Sequence, residues 1–189
     1  MKQFSLTRPA RTAEILDAAV LVFGRLGFRK ASMDDIADAA GISKQGLYLH
    51  FLSKETLFLD CLRKYLDDGL TQLDAQLSRK DLALVDRLTG AMDTWFGRHL
   101  STFGQSAVDI IEAEETLGKT AFDRYRAAFR RKIAEALTAD PEFKDNVCSP
   151  EEVANVLFIV GLTWKEERGS RSAFVRKMRL CVRVACQLN

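Results

Sequence analysis

Apolar residues recur along this chain at spacings of three and four, and the long stretches between its few prolines and glycines are made of helix formers. That pattern predicts helices. Ile15, Ala19, Val22 and Leu26 share one face of a first helix over about residues 9–26, with Ala18 and Phe23 beside them and Gly27 as its stop. Ser32 reads as the N-cap of a second helix, with Asp35 three residues on as an aspartate form of the capping box. That helix buries Met33, Ile36, Ala37 and Ala40. Gly41 permits a left-handed turn, Ile42 tucks in behind it, and Ser43 caps a short third helix of about Lys44 to His50. Ser53 caps a fourth, with Leu57, Phe58, Cys61, Leu62, Tyr65, Leu66, Leu70 and Leu73 on its apolar face. It ends near Leu77, long enough to link two domains.

The second half repeats the pattern. A helix is predicted from Leu82 to about Phe103, with Leu84, Leu88, Met92, Trp95, Phe96 and Leu100 inward, and a shorter one from Ser106 to Glu115. Residues 119–139 are amphipathic through Phe122, Tyr125, Phe129, Ile133 and Leu137, and Asp140-Pro141 ends them. Ser149-Pro150-Glu151-Glu152 is a strong helix start, with Ser at the cap, Pro at the first turn and Glu at the third position. That helix runs to about Glu167 and stops at Gly169; Ser170 or Ser172 starts the last. The chain therefore predicts an all-α fold of about nine helices.

Composition narrows this only a little. With 189 residues, 47% hydrophobic and 29% charged, there is apolar surface for a real core in one or two domains. Residues 1–54 carry eight basic against five acidic residues, net +3, while the remainder has 20 against 21, net −1. A small basic part on a near-neutral body fits an anionic partner bound at one end. Four cysteines without a CxxC pair, no apolar signal core at the start, and no apolar run of transmembrane length lead to the expectation of a cytoplasmic protein with reduced, mostly buried thiols and no membrane association. Two histidines without HxxxH spacing make a metal site unexpected, and the acidic Glu112, Glu114 and Glu115 read as a solvated face; no cofactor is expected.

Ser32 to Lys54 is the most informative stretch. Two short helices around a tight turn are a common way to place one helix in the DNA major groove. Ser43, Lys44, Gln45 and Gly46 put short polar donors and a cation at the start of the third helix, and Tyr48, His50 and Lys54 follow at helical spacing with groups that can donate to phosphate. Gly46 costs about 1 kcal/mol against Ala inside a helix. Either close approach of a base pair or close packing on the second helix accounts for it. Taken singly, Tyr48 reads as a packed surface aromatic, His50 as a partly exposed histidine, Lys44 and Lys54 as solvated charges, and Ser32 as a cap; only their joint placement points to DNA.

The run ASMDDIADAAGISKQGLYLHFLSKETL closely resembles the N-terminal motif of the tetracycline-repressor (TetR) family of transcription regulators. The similarity covers about residues 9–69 and includes the FGRLGF end of the preceding helix. It implies a three-helix helix-turn-helix DNA-binding domain over 9–69, with the motif itself at 32–51, joined through the long fourth helix to a helical effector-binding and dimerisation domain over 70–189. It implies a homodimer on a pseudo-palindromic double-stranded operator and a small-molecule effector that acts through the fourth helix. By position, the resemblance assigns phosphate contacts to Ser32, Tyr48, His50 and Lys54, and assigns bases or the groove wall to Ser43, Lys44, Gln45 and Leu47. Gln45 can then read adenine bidentately and Leu47 can touch a thymine methyl.

For the body, the stripes Val153, Val156, Leu157, Val160, Trp164 and Phe174, Met178, Cys181, Val182, Ala185 suit a four-helix dimer interface, or else complete the protomer core. Trp95, Phe96, Phe103, Phe122, Phe129 and Phe158, with His99 and Gln105 as polar anchors, suit an apolar effector pocket, or else are core. The expected function is a ligand-responsive transcription regulator, a repressor by resemblance. An architectural DNA binder without effector would carry a stronger basic excess. An all-α enzyme lacks support, since no catalytic triad spacing, P-loop or GxGxxG occurs.

Overall fold

A computed structural model describes residues 8–97, 119–144, 146–166 and 170–187. Among the described residues there are eight α-helices and no strand. They are α1 (Arg8–Lys30), α2 (Met33–Ala39), α3 (Lys44–Tyr48), α4 (Lys54–Leu77), α5 (Leu84–Met92), α6 (Lys119–Thr138), α7 (Pro150–Glu166) and α8 (Arg171–Ala185). The described residues fall into two compact units, divided inside α4 between Leu66 and Asp67.

In the first unit α1 continues past its expected end, but it is broken at Gly27, whose backbone (φ 77°, ψ 161°) only glycine adopts cheaply. Phe28 to Lys30 form a last separate turn, and Phe28 joins Phe23 and Phe58 in a ring cluster with centroids 4.8–6.1 Å apart. The capping box of α2 is complete. Ser32 Oγ accepts from the Asp35 amide at 3.1 Å, and the Asp35 carboxylate accepts from the Ser32 amide at 2.9 Å. Hydrogen bonds from the Ser32 hydroxyl and then the Ser32 amide to the carboxylate hold the Asp35 carboxyl below its ordinary pKa. Gly41 takes the left-handed turn at φ 63°, and the Arg11 guanidinium donates to the Ala40 carbonyl at 3.2 Å, fastening α1 to that turn. α3 is shorter than expected, because Leu49 already serves as its C-cap.

In the second unit α6 packs on α7, and α8 packs on α5 and α7. The helix expected from Leu82 begins at Leu84 and changes character: Asp93–Gly97 is a π-helical turn. Trp95, Phe96 and Gly97 are all buried within that turn. Gly97 is required there, since a Cβ would sit 2.0 Å from Asp93 Oδ1, and that carboxylate is held in a two-pronged pair by Arg171 at 2.7 and 2.8 Å. At the foot of the unit, Arg87 and Asp140 form a buried ion pair. Arg87 Nε also donates to the Leu77 carbonyl at 3.0 Å, and Asp140 accepts from the Glu142 amide at 3.0 Å, so α4, α5 and the 3-10 turn Pro141–Phe143 meet at one point. Ser149 and Glu152 make the expected reciprocal cap of α7, and Ser170, not Ser172, caps α8. No helix among the described residues is long and apolar enough to cross a membrane.

Candidate nucleic-acid interface

The α2–turn–α3 unit presents its polar residues unevenly. Lys44 and Gln45 are exposed and Tyr48 is 43% exposed. Lys44 reaches back to Asp34 at 2.7 Å, and this hydrogen bond and charge raise its pKa. Ser43 is exposed but occupied as the cap of α3, accepting from the Gly46 amide at 3.0 Å. A Cβ on Gly46 would meet Ser43 Oγ at 3.2 Å and Ile42 Cβ at 3.9 Å, and nothing of α2 within 4 Å. Packing on α2 is therefore not what requires glycine; the nearest neighbour of a Cβ there is the cap hydroxyl.

Three residues expected at the DNA surface are engaged within the unit. The Ser32 hydroxyl belongs to the α2 capping box. His50 Nδ1 lies 3.1 Å from Thr12 Oγ1 on α1. Lys54 Nζ donates to the carbonyls of Phe28 at 2.9 Å and Ala31 at 3.1 Å, with the Phe28 ring centroid 4.5 Å away. Both carbonyls lie past the break at Gly27, so the ammonium sits at the C-terminal end of α1 as a cation there should. Two of its three protons are spent there. Leu47, expected to touch the groove wall, is fully buried and contributes to the core instead. The outward apolar residues are Leu49 and Leu52, 72% and 87% exposed. The signal that could have found Leu49 is its spacing of four from Gln45.

The expected body residues divide likewise. Trp95, Phe96, Phe122, Phe129 and Phe158 are all buried, and Phe129 sits among three of the others with ring centroids at 5.3–5.5 Å. His99, Phe103 and Gln105, with Glu112, Glu114 and Glu115, lie outside the described residues. Of the interface stripes, Val153, Leu157, Phe174, Met178 and Val182 are buried within the protomer. Val160, Trp164, Cys181 and Ala185 are half-buried, with Lys177 Nζ 5.6 Å from the Trp164 ring centroid, and Val156 is half-exposed. Ile159, Leu180 and Val184 are further outward apolar residues on α7 and α8. Apolar periodicity picks out the inward register of each helix and so passes over these positions. The thiols are less uniformly buried than expected: Cys61 and Cys186 are buried, Cys181 is intermediate and Cys148 is exposed. Among the described residues no group of His, Cys, Asp and Glu is placed to hold a metal ion.

Residues 15–61 match the model of the "Bacterial regulatory proteins, tetR family". The chain is 45% identical over 84 residues to the HTH-type transcriptional regulator YfiR of Bacillus subtilis, covering 42% of this chain and 41% of that one. It is 46% identical over 61 residues to the HTH-type transcriptional repressor KstR2 of Rhodococcus jostii, covering 32% and 30%. The chain thus spans about two-fifths or less of the length of these relatives. A solved tetR-family transcriptional regulator from Streptomyces coelicolor shares the fold across 97% of this chain and 82% of its own, with a TM-score of 0.69 at 22% identity. The capped α2–turn–α3 unit lies inside the matched residues, so this N-terminal part of the chain is similar to the DNA-binding part of the tetR family of bacterial regulatory proteins.

Proposed function

We propose that this protein is a ligand-responsive transcription regulator, acting in the cytoplasm, that binds a palindromic operator as a homodimer and is released by a small-molecule effector. The observation that carries the reading is the outward face of α3. Lys44, Gln45 and Tyr48 project from a helix whose opposite side is pinned by the buried Leu47. Gln45 offers the amide that pairs with an adenine edge, Tyr48 offers a hydroxyl to phosphate, and the third proton of Lys54 remains for a phosphate beside the start of α4. Residues 9–69 form the reading domain in this account and 70–189 the body.

The exposed Val156 and Ile159 on α7, with Leu180 and Val184 on α8, support pairing of two protomers through these helices. A gel shift with DNA from upstream of its own gene tests the reading. Retention of one palindrome against excess competitor DNA is expected, with Tyr48→Ala weakening it while the fold stays intact. Binding without sequence preference would favour an architectural role, and no binding would reject the proposal. Leu180→Glu with Val184→Glu is expected to yield monomers by light scattering and to abolish tight operator binding; a dimer of unchanged stability would move the interface elsewhere.

A further inference from the structure

Leu47 is fully buried, which fixes the rotation of α3 on the unit. At about 100° per residue, the direction opposite Leu47 falls between Gln45 and Leu49, one turn apart. Lys44 and Tyr48 flank that line on one side. Leu49 keeps helical backbone angles (φ −73°, ψ −19°), so it continues the same surface. Its side chain is 72% exposed, more than that of Tyr48. The outermost line of the reading helix is therefore an amide followed by an isobutyl group. Leu52, though also exposed, follows α3 in the turn before α4 and is not on this line.

In the major groove the one apolar feature of a base edge is the thymine 5-methyl, and the edge that pairs bidentately with a glutamine amide is that of adenine. We propose that Leu49 is a specificity-determining residue that reads a thymine methyl, in the role expected of Leu47. Gln45 reads an adenine one or two base pairs away, since one helical turn advances about 5.4 Å and a base-pair step about 3.4 Å. The inference rests on the proposed operator binding and adds a base composition to it: each half-site holds an A·T pair for Gln45 and a nearby thymine for Leu49.

Replacing each operator thymine singly by deoxyuridine removes the methyl and leaves every hydrogen-bonding group in place. The wild-type protein is expected to lose about fourfold in affinity at one thymine per half-site, the worth of one methyl-sized group taken out of water. Leu49→Ala is expected to bind the natural operator more weakly, to unfold at the same denaturant midpoint, and to show no further loss at that deoxyuridine. Equal deoxyuridine penalties in wild type and Leu49→Ala, or no penalty at any thymine, would overturn the assignment while operator binding stands. A protein that selects no sequence at all overturns both, and is recognised by the lack of any operator to substitute.

Discussion

Lys54 offers a sharp test of how the reading unit is held together. It opens α4, where a positive charge is at the unfavourable end of that helix's dipole. The charge is instead used by α1. Beyond the break at Gly27, the carbonyls of Phe28 and Ala31 each accept from Nζ, at 2.9 and 3.1 Å. Hydrogen bonds to a charged group are worth about 1.5–3 kcal/mol each when desolvated. Because the Lys54 side chain is half-buried, water recovers part of that on substitution, and the two together should contribute about 2 kcal/mol. Methionine at this position keeps an unbranched apolar side chain of similar length and removes the ammonium, together with its place over the Phe28 ring. Lys54→Met is therefore expected to lose about 2 kcal/mol in urea unfolding followed by circular dichroism, a midpoint shift on the order of 1 M for a typical slope. Its DNA affinity should also show a salt dependence shallower by about 0.9 per chain, the share of one phosphate. An unchanged midpoint, whatever the salt slope, would refute the reasoning that Lys54 closes the junction of α1, α2 and α4.

Other consequences are more local. Phe129→Ala removes the ring at the centre of the aromatic cluster, fully buried in the protomer, and is expected to cost about 3–5 kcal/mol by denaturant titration; a loss below about 1 kcal/mol would mean the cluster is loosely packed. Asp140→Ala leaves the buried Arg87 guanidinium without its carboxylate and should cost about 3–5 kcal/mol, whereas Arg87→Met combined with Asp140→Leu should cost much less, a contrast that denaturant titration of the two variants reads directly. Cys148 is exposed and should react with a thiol reagent at once, whereas burial pushes the Cys186 thiol up to about 12 and the Cys61 thiol higher still, so both should react only on unfolding.

How much of this was legible beforehand differs between the halves. In the reading unit the local signals are self-contained: Ser32 with Asp35, Gly41 and Ser43 each dictate a cap or turn within a few residues, and all three form as expected. Side-chain destinations were harder to read. Lys54 and His50 are drawn to α1, a partner more than twenty residues away that no local pattern announces. Leu47 and Leu49 differ by two positions on a five-residue helix, too short for periodicity alone to say which faces inward. In the body the helix starts at Ser149 and Ser170 were readable, but the π turn over Asp93–Gly97 was not. Its Asp93 carboxylate is paired with Arg171, 78 positions away, a contact that no spacing announces. The Arg87–Asp140 pair, joining residues 53 positions apart, likewise leaves no trace in spacing.

The central claim is that α3 reads sequence in an operator. Selection of bound sequences from a random DNA pool by the purified wild-type protein, repeated with Gln45→Ala, tests it most directly. An inverted repeat bound by two protomers is expected, with Gln45→Ala keeping the repeat but relaxing the preference at one base pair in each half-site. Enrichment of no repeat, or an identical preference at every position in the two proteins, would contradict it.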